Sequence, residues 1–340
     1  MCCILHRFSK AEFERYIDED QGCEVFDKPG APKAVICDGY FVPFNFPPNH
    51  FRTAKEYEVD TDDVFICTYP RSGLHWVKTM LYSLANPRAA EDTHNCNHAD
   101  HGIKKESPAI EVVGKEHLKE YPRPRVISSH AYAKYVPYSP SKGKYIVVAR
   151  NPKSCCTSYF NLQRDLADFG FEDGDFNQYF EHFVKGEVAW GSVFQHLQGW
   201  LELANNDNVL LVKYEDILDG HEACLRQMAR FIGGTIGENA KDDEIFKKVI
   251  EKTKIDTMRR SQHNLFGKLS QNWAGTEVKT FIGKGNKRDW LNYFSKYQSD
   301  TFDALFQEHF QGTQAENWWA EEMKWKEQKL RNGIFNFNYQ

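Results

Sequence analysis

Val64-Phe65-Ile66-Cys67-Thr68-Tyr69-Pro70-Arg71-Ser72-Gly73-Leu74-His75-Trp76 decides the fold of this chain. Its first four residues are an apolar, β-prone run that stops at a proline. A turn carrying a cation and a glycine follows, and Trp76-Val77-Lys78-Thr79-Met80-Leu81-Tyr82-Ser83-Leu84 then continues at helical spacing. A strand, a tight turn and a helix N-terminus present unpaired backbone N–H groups and the positive end of a helix dipole to whatever sits in the turn. Arg71 adds a full charge at its mouth. The stretch is predicted to bind a phosphate or a sulfate.

The loop is not that of an ATPase. That version needs a further upstream glycine and a Lys-Ser/Thr pair whose hydroxyl holds magnesium; here Leu74 and His75 occupy the turn. The net charge of −5 over 340 residues argues against a general nucleic-acid binder, so basic residues must act locally in a pocket. With 41% apolar and 14% aromatic residues the chain can bury a sizeable core. Its nine cysteines are odd in number and include the neighbours Cys2-Cys3 and Cys155-Cys156, which predicts thiols in a reducing, cytoplasmic setting. No apolar run reaches membrane-spanning length, and acylation of Cys2-Cys3 lacks a second membrane signal.

Around the loop, short β-rich runs recur at Arg125–Ser129, Tyr145–Ala149 and Val209–Lys213, separated by helical periodicity at 152–166, 176–204, 221–232 and 242–253. The alternation predicts an α/β domain, a central parallel sheet flanked by helices, of the P-loop nucleotide-kinase kind. Residues 1–60 read as an irregular lead-in whose Phe41–Pro48 stretch forms a folded-back loop. The domain proper runs over 61–310. Residues 311–340 form a tail with a charged, aromatic helix candidate at 317–327 that packs on or beside it.

Further motifs stand in register with the loop. Tyr145–Ala149 runs into Arg150-Asn151-Pro152-Lys153 and Ser158-Tyr159-Phe160. Phe183–Ser192 leads to His196 and Trp200, Val209–Lys213 meets Tyr214-Glu215-Asp216, and Lys284-Gly285-Asn286-Lys287-Arg288-Asp289-Trp290 closes the series. In this order the chain resembles the cytosolic sulfotransferases, which move a sulfonate group from 3′-phosphoadenosine-5′-phosphosulfate (PAPS) to a hydroxyl or amine. The resemblance covers roughly residues 40–310.

The resemblance implies roles at matching positions. Arg71, Ser72, Gly73, Leu74, His75 and Trp76 would hold the 5′-phosphosulfate, with Trp76 stacked on adenine. Arg150 and Ser158 would hold the 3′-phosphate, Lys284 and Gly285 would close over it, and Tyr214 and Thr253 would make further nucleotide contacts. His130 would take the proton from the acceptor, a task that suits imidazole, while Arg71 would steady charge on the leaving phosphate. Ser128, His130 and Phe44 fall on the acceptor side. PAPS is then the donor, 3′,5′-adenosine bisphosphate (PAP) the product, and no metal is needed. The partner is a small apolar alcohol, phenol or amine, with no nucleic acid and no membrane.

The chain departs from the family pattern. Arg71 stands for a lysine, Leu74 and His75 for two threonines, Ser128 for a lysine, Gly283 for an arginine and Ile255 for an aromatic. Leu291, Ser295-Lys296 and Asp300 replace the family's dimer motif, which predicts a monomer or a different homodimer. These departures keep two alternatives in view: a catalytically impaired PAPS or PAP binder, and a small-molecule kinase on the same scaffold. Three lesser features have bland readings. His94, Cys96, His98 and His101 fit no standard zinc spacing, His196 is structural, and Glu215-Asp216 are solvated or capping.

Overall fold

The computed structural model describes residues 22–44, 46–88, 107–260 and 285–326. The Cys2-Cys3 pair, the 94–101 cluster, Gly283 and Lys284 lie outside these residues. Four strands form an all-parallel sheet: β4 (Val64–Thr68), β5 (Val126–Ser129), β6 (Lys144–Ala149) and β7 (Val209–Lys213), ordered β5-β4-β6-β7. Alternate residues of these buried strands feed opposite faces. Phe65, Cys67, Tyr145 and Val147 join one apolar cluster, and Val64, Ile66, Ile146 and Val148 join the other. A sheet buried on both sides reads as continuous apolar runs, as β4, β6 and β7 do, while β5 ends in Ser128-Ser129.

The helices are α1 (Pro48–Ala54), α2 (Leu74–Ala85), α3 (Ile110–Leu118, broken at Gly114), α4 (Pro152–Asp165), α5 (Phe176–Lys185) and α6 (Val193–Leu201), then α7 (Tyr214–Asp219), α8 (His221–Ile232), α9 (Gly234–Asn239), α10 (Asp243–Lys252), α11 (Lys296–Phe310) and α12 (Ala320–Met323). The 176–204 helical pattern is two helices. Gly186, at φ 74°, ends α5, and Ser192 caps α6 by accepting from the Phe194 and Gln195 N–H groups.

The lead-in is not irregular. Strands β1 (Cys23–Phe26), β2 (Ala34–Cys37) and β3 (Tyr40–Pro43) form an antiparallel sheet, so Phe41–Pro43 is strand and not loop. Asp38 and Gly39, both at positive φ, make the two-residue turn between β2 and β3. Asp-Gly supplies that turn readily. Among the described residues of the tail, one short helix, α12, stands in place of a long one. Trp319 and Met323 are buried, and Trp319 packs edge-on against Phe306 of α11.

Candidate active site

The four parallel strands all end on the same edge, and each is followed by residues named from the sequence: the 69–73 loop after β4, His130 after β5, Arg150 after β6 and Tyr214 after β7. The chain steps from β4 outward to β5, then returns to the other side of β4 for β6. The loops therefore diverge at this switch point and leave a crevice.

Backbone geometry shapes the first loop. Gly73 caps α2 at φ 98°, and a Cβ there would lie 2.8 Å from the Tyr214 ring, so glycine is required on both counts. Arg71 itself sits at φ 70°. Its Nε donates to Ser158 Oγ at 2.9 Å, and Arg150 Nη1 donates to the Arg71 carbonyl at 2.7 Å. The sequence put Arg71 at one end of the donor and Arg150 with Ser158 at the other, whereas the structure gathers all three in one cluster. Burial and the neighbouring Arg150 lower the Arg71 guanidinium to about 10. Arg150 rests on the Tyr214 ring at 4.6 Å, its Nε is buried without a partner, and among the described residues no carboxylate pairs with it. Crowded cations of this kind suit an anion.

Beside this cluster a groove of about 550 Å³ is lined by Trp76, Leu218, His221, Ile255 and Arg260 among others. Trp76 Nε1 donates to the Thr253 carbonyl at 2.7 Å, which fixes the indole, and His221 and Tyr214 flank the ring at 5.3 and 5.8 Å. Thr253 Oγ1 spends its proton on the Val249 carbonyl, so toward His221 Nε2 at 3.0 Å it can only accept. Gly285, at φ 69°, lies against Ile255 and Leu218 at the groove's edge. The residues present fit a nucleotide: a fixed indole, a roomy slot and adjacent guanidinium groups.

His130 lies across the crevice. Its Nδ1–H donates to the Thr68 carbonyl at 2.7 Å, which assigns the neutral tautomer and leaves the lone pair on Nε2. Its ring is 5.7 Å from that of Trp190. Burial, together with the charge of Lys78, lowers it to about 4 against the support of that hydrogen bond. It is therefore unprotonated at neutral pH. Ser128 is turned away: its hydroxyl donates to the Pro108 carbonyl at 3.1 Å.

Several further buried residues, Phe169, Phe171, His196 and Glu215, serve packing. Phe169 and Phe171 are buried, the latter 5.9 Å from Tyr179, while Phe41, Phe44 and Phe46 are only partly buried against the core. His196 is buried against Tyr69 and Tyr132. Glu215 is buried too, accepting from the Asn151 N–H at 3.1 Å and Trp319 Nε1 at 2.8 Å, whereas Asp216 pairs with Lys213.

Two functional candidates escaped sequence reading. Glu111 of α3 is buried, and its Oε1 accepts from the Ser129 hydroxyl and from the N–H groups of His130 and Ala131, so it fixes the backbone that presents the imidazole. No short motif marks it. Lys78, on the second turn of α2, places its charge on both His75 and His130. Its position one turn beyond the loop was the available signal. Among the described residues no group of histidine, cysteine and carboxylate side chains could hold a metal ion.

Comparison with known proteins identifies the family and the fold. The sulfotransferase domain family matches residues 61–314. Human sulfotransferase 1C2 is 29% identical over 267 residues, covering 76% of this chain and 86% of its own, and dog sulfotransferase 1B1 is 28% identical over 284 residues, covering 81% and 92%. Among solved structures, mouse sulfotransferase SULT7A1 complexed with PAP superposes with a TM-score of 0.65 at 24% identity, covering 87% of this chain and 98% of that one. Retinol dehydratase in complex with androsterone and PAP gives the same TM-score at 16% identity, covering 91% and 96%. The likeness to these structures is one of fold. The chain belongs to the cytosolic sulfotransferase family, the PAPS-dependent enzymes that its motifs resemble.

Proposed function

We propose that this enzyme binds PAPS in the crevice at the strand ends and transfers its sulfonate to a hydroxyl or amine of a small apolar acceptor, with His130 as general base. Trp76 would stack on the adenine, with Tyr214 and Thr253 beside it. Arg150, Ser158 and Arg71 would hold the 3′-phosphate, while the amides of Ser72, Gly73, Leu74 and His75 at the head of α2 would receive the phosphosulfate. Gly285, and Lys284 beyond the described residues, would close over the nucleotide. Residues 61–310 would form the catalytic domain, the lead-in before it would supply acceptor-side walls including Phe44, and the described part of the tail, with Trp319 and Met323 buried, would pack on the domain. The family reading also carries a cytosolic location.

The observation that carries the assignment is the hydrogen bond from His130 Nδ1 to the Thr68 carbonyl. It leaves Nε2 as an acceptor for the proton of an attacking hydroxyl. Sulfonate transfer passes charge onto the leaving phosphate, so alignment and nearby cations supply the rate. Ser128 offers no cation there, and Lys78, whose charge reaches His75 and His130, would supply one. The test is radiolabelled sulfonate transfer to a panel of phenols, alcohols and amines, with PAP binding measured in parallel. His130→Ala should abolish transfer and keep PAP binding. Equal transfer by both proteins would falsify the assignment, and preference for ATP with magnesium over PAP would favour the kinase reading.

A further inference from the structure

Cys23 opens β1 and Cys37 closes β2, and the two are directly opposite in the antiparallel register. The next pair outward, Gly22 and Asp38, is joined by the Asp38 N–H donating to the Gly22 carbonyl at 2.9 Å. Since hydrogen-bonded and non-hydrogen-bonded pairs alternate, Cys23 and Cys37 occupy a non-hydrogen-bonded pair, where Cα atoms approach to about 4.5 Å and side chains are closest. That spacing falls within the roughly 4.4–6.8 Å over which a disulfide can close. Both residues are thiols, and their sulfurs lie 2.8 Å apart, inside ordinary contact.

Their surroundings differ from those of the other cysteines. Cys37 is fully buried, but Cys23 is half-buried and accepts from Arg52 Nη2 at 3.3 Å, while Arg52 Nε also holds Asp38 at 2.8 Å. A guanidinium at the sulfur supports the negative charge that an attacking thiol must carry. By contrast, burial pushes the Cys67 and Cys156 thiols well up and that of Cys155 to about 11, which keeps them protonated and inert.

We propose that Cys23 and Cys37 are a redox-active dithiol that a low-molecular-weight disulfide such as glutathione disulfide oxidises to a bridge between β1 and β2. In the first step the Cys23 sulfur gives up its proton and attacks the reagent, forming a mixed disulfide and releasing one thiolate. Cys37 then loses its proton and attacks the Cys23 sulfur, which closes the bridge and releases the second thiolate. The two protein thiols are oxidised and one disulfide is reduced to two thiols. The bridge lies on the antiparallel sheet whose β3 meets the catalytic wall, through Tyr40 donating to the Trp190 carbonyl and Trp190 donating to that of Phe41.

The experiment incubates the full chain in glutathione buffers of graded oxidised-to-reduced ratio, blocks remaining thiols, and maps disulfides by mass spectrometry. The expected product is one peptide linking Cys23 to Cys37, lighter by two hydrogens. Cys37→Ser should stop at glutathione on Cys23, and Cys23→Ser should block both steps. No linked peptide from the wild-type chain at the most oxidising ratio would overturn the proposal. So would attachment of glutathione elsewhere in preference to Cys23. The wild-type result decides the matter even if a variant fails to fold.

Discussion

Arg150 Nη1 donates to the backbone carbonyl of Arg71 over 2.7 Å, so the cation after β6 holds the loop after β4 in place. Removing it should cost donor binding twice, through lost charge and through a released loop. Arg150→Ala is expected to weaken PAP by roughly 10- to 150-fold, the range of one charge-assisted hydrogen bond. Arg150→Lys should restore only part of this, because an ammonium cannot serve Arg71 and an anion in one plane. Titration calorimetry with PAP checks both.

Lys78 gives a different signature. It stands between His75 and His130 in electrostatic reach, on a helix packed beside β5. Lys78→Met should lower kcat by roughly 100-fold or more, as loss of a charge-stabilising donor does, while PAP affinity stays near wild type. A fall in PAP affinity equal to the fall in kcat would return Lys78 to a structural role.

The pH profile follows from His130, which burial lowers to about 4. A base must be unprotonated, so the acid limb of kcat should fall near pH 4 to 5 and not near the ordinary histidine value of about 6.5. Glu111→Gln should disturb this limb, because Glu111 fixes the backbone N–H of His130. Initial rates between about pH 3.5 and 8 measure it.

Acid stability should follow His196, which burial lowers to about 3 and whose Nε2 is buried without a partner. Between about 3 and 6.5 the unfolded chain binds a proton that the folded chain refuses, so stability rises with pH across this window and is lost on acidification. From pH 6.5 down to 5 the loss is up to about 2 kcal/mol. His196→Phe should flatten the pH dependence of Tm over that range.

The parallel sheet was legible because β4, β6 and β7 are uninterrupted apolar runs bounded by turn residues, and burial on two faces demands such runs. Arg71 was legible because a turn between a strand and a helix implies an anion site, whereas Trp76, His130 and Arg150 came only from the family resemblance, and the structure sets them at the same edge of the sheet. The antiparallel sheet was not. Cys23–Phe26 is only four residues long and half exposed, and the one strong turn signal, Asp38-Gly39, lies between β2 and β3. Glu111 and Lys78 were missed for a related reason: each acts through contacts between separate elements, α3 with β5 and α2 with β5, which no local pattern encodes.

Lys153, fully buried, pairs with Asp303 at 2.6 Å and donates to Ser299 Oγ at 2.7 Å and to the Met323 carbonyl at 2.9 Å. Lys153→Met keeps the volume but strands the Ser299 and Met323 acceptors, while the partly exposed Asp303 stays within reach of water, and should destabilise by about 1–3 kcal/mol, seen as a fall in Tm. Its neighbours Asn151 and Arg150 tie the loss to weaker PAP binding.

The same segment is gripped from several sides by its main chain. Arg288 donates to the carbonyls of Glu321 and Lys324, Trp290 to that of Glu322, and Lys153 to that of Met323. Because every peptide unit offers a carbonyl, drift in side-chain identity at 321, 322 and 324 would leave these grips intact, whereas an inserted residue or a rerouted path would not.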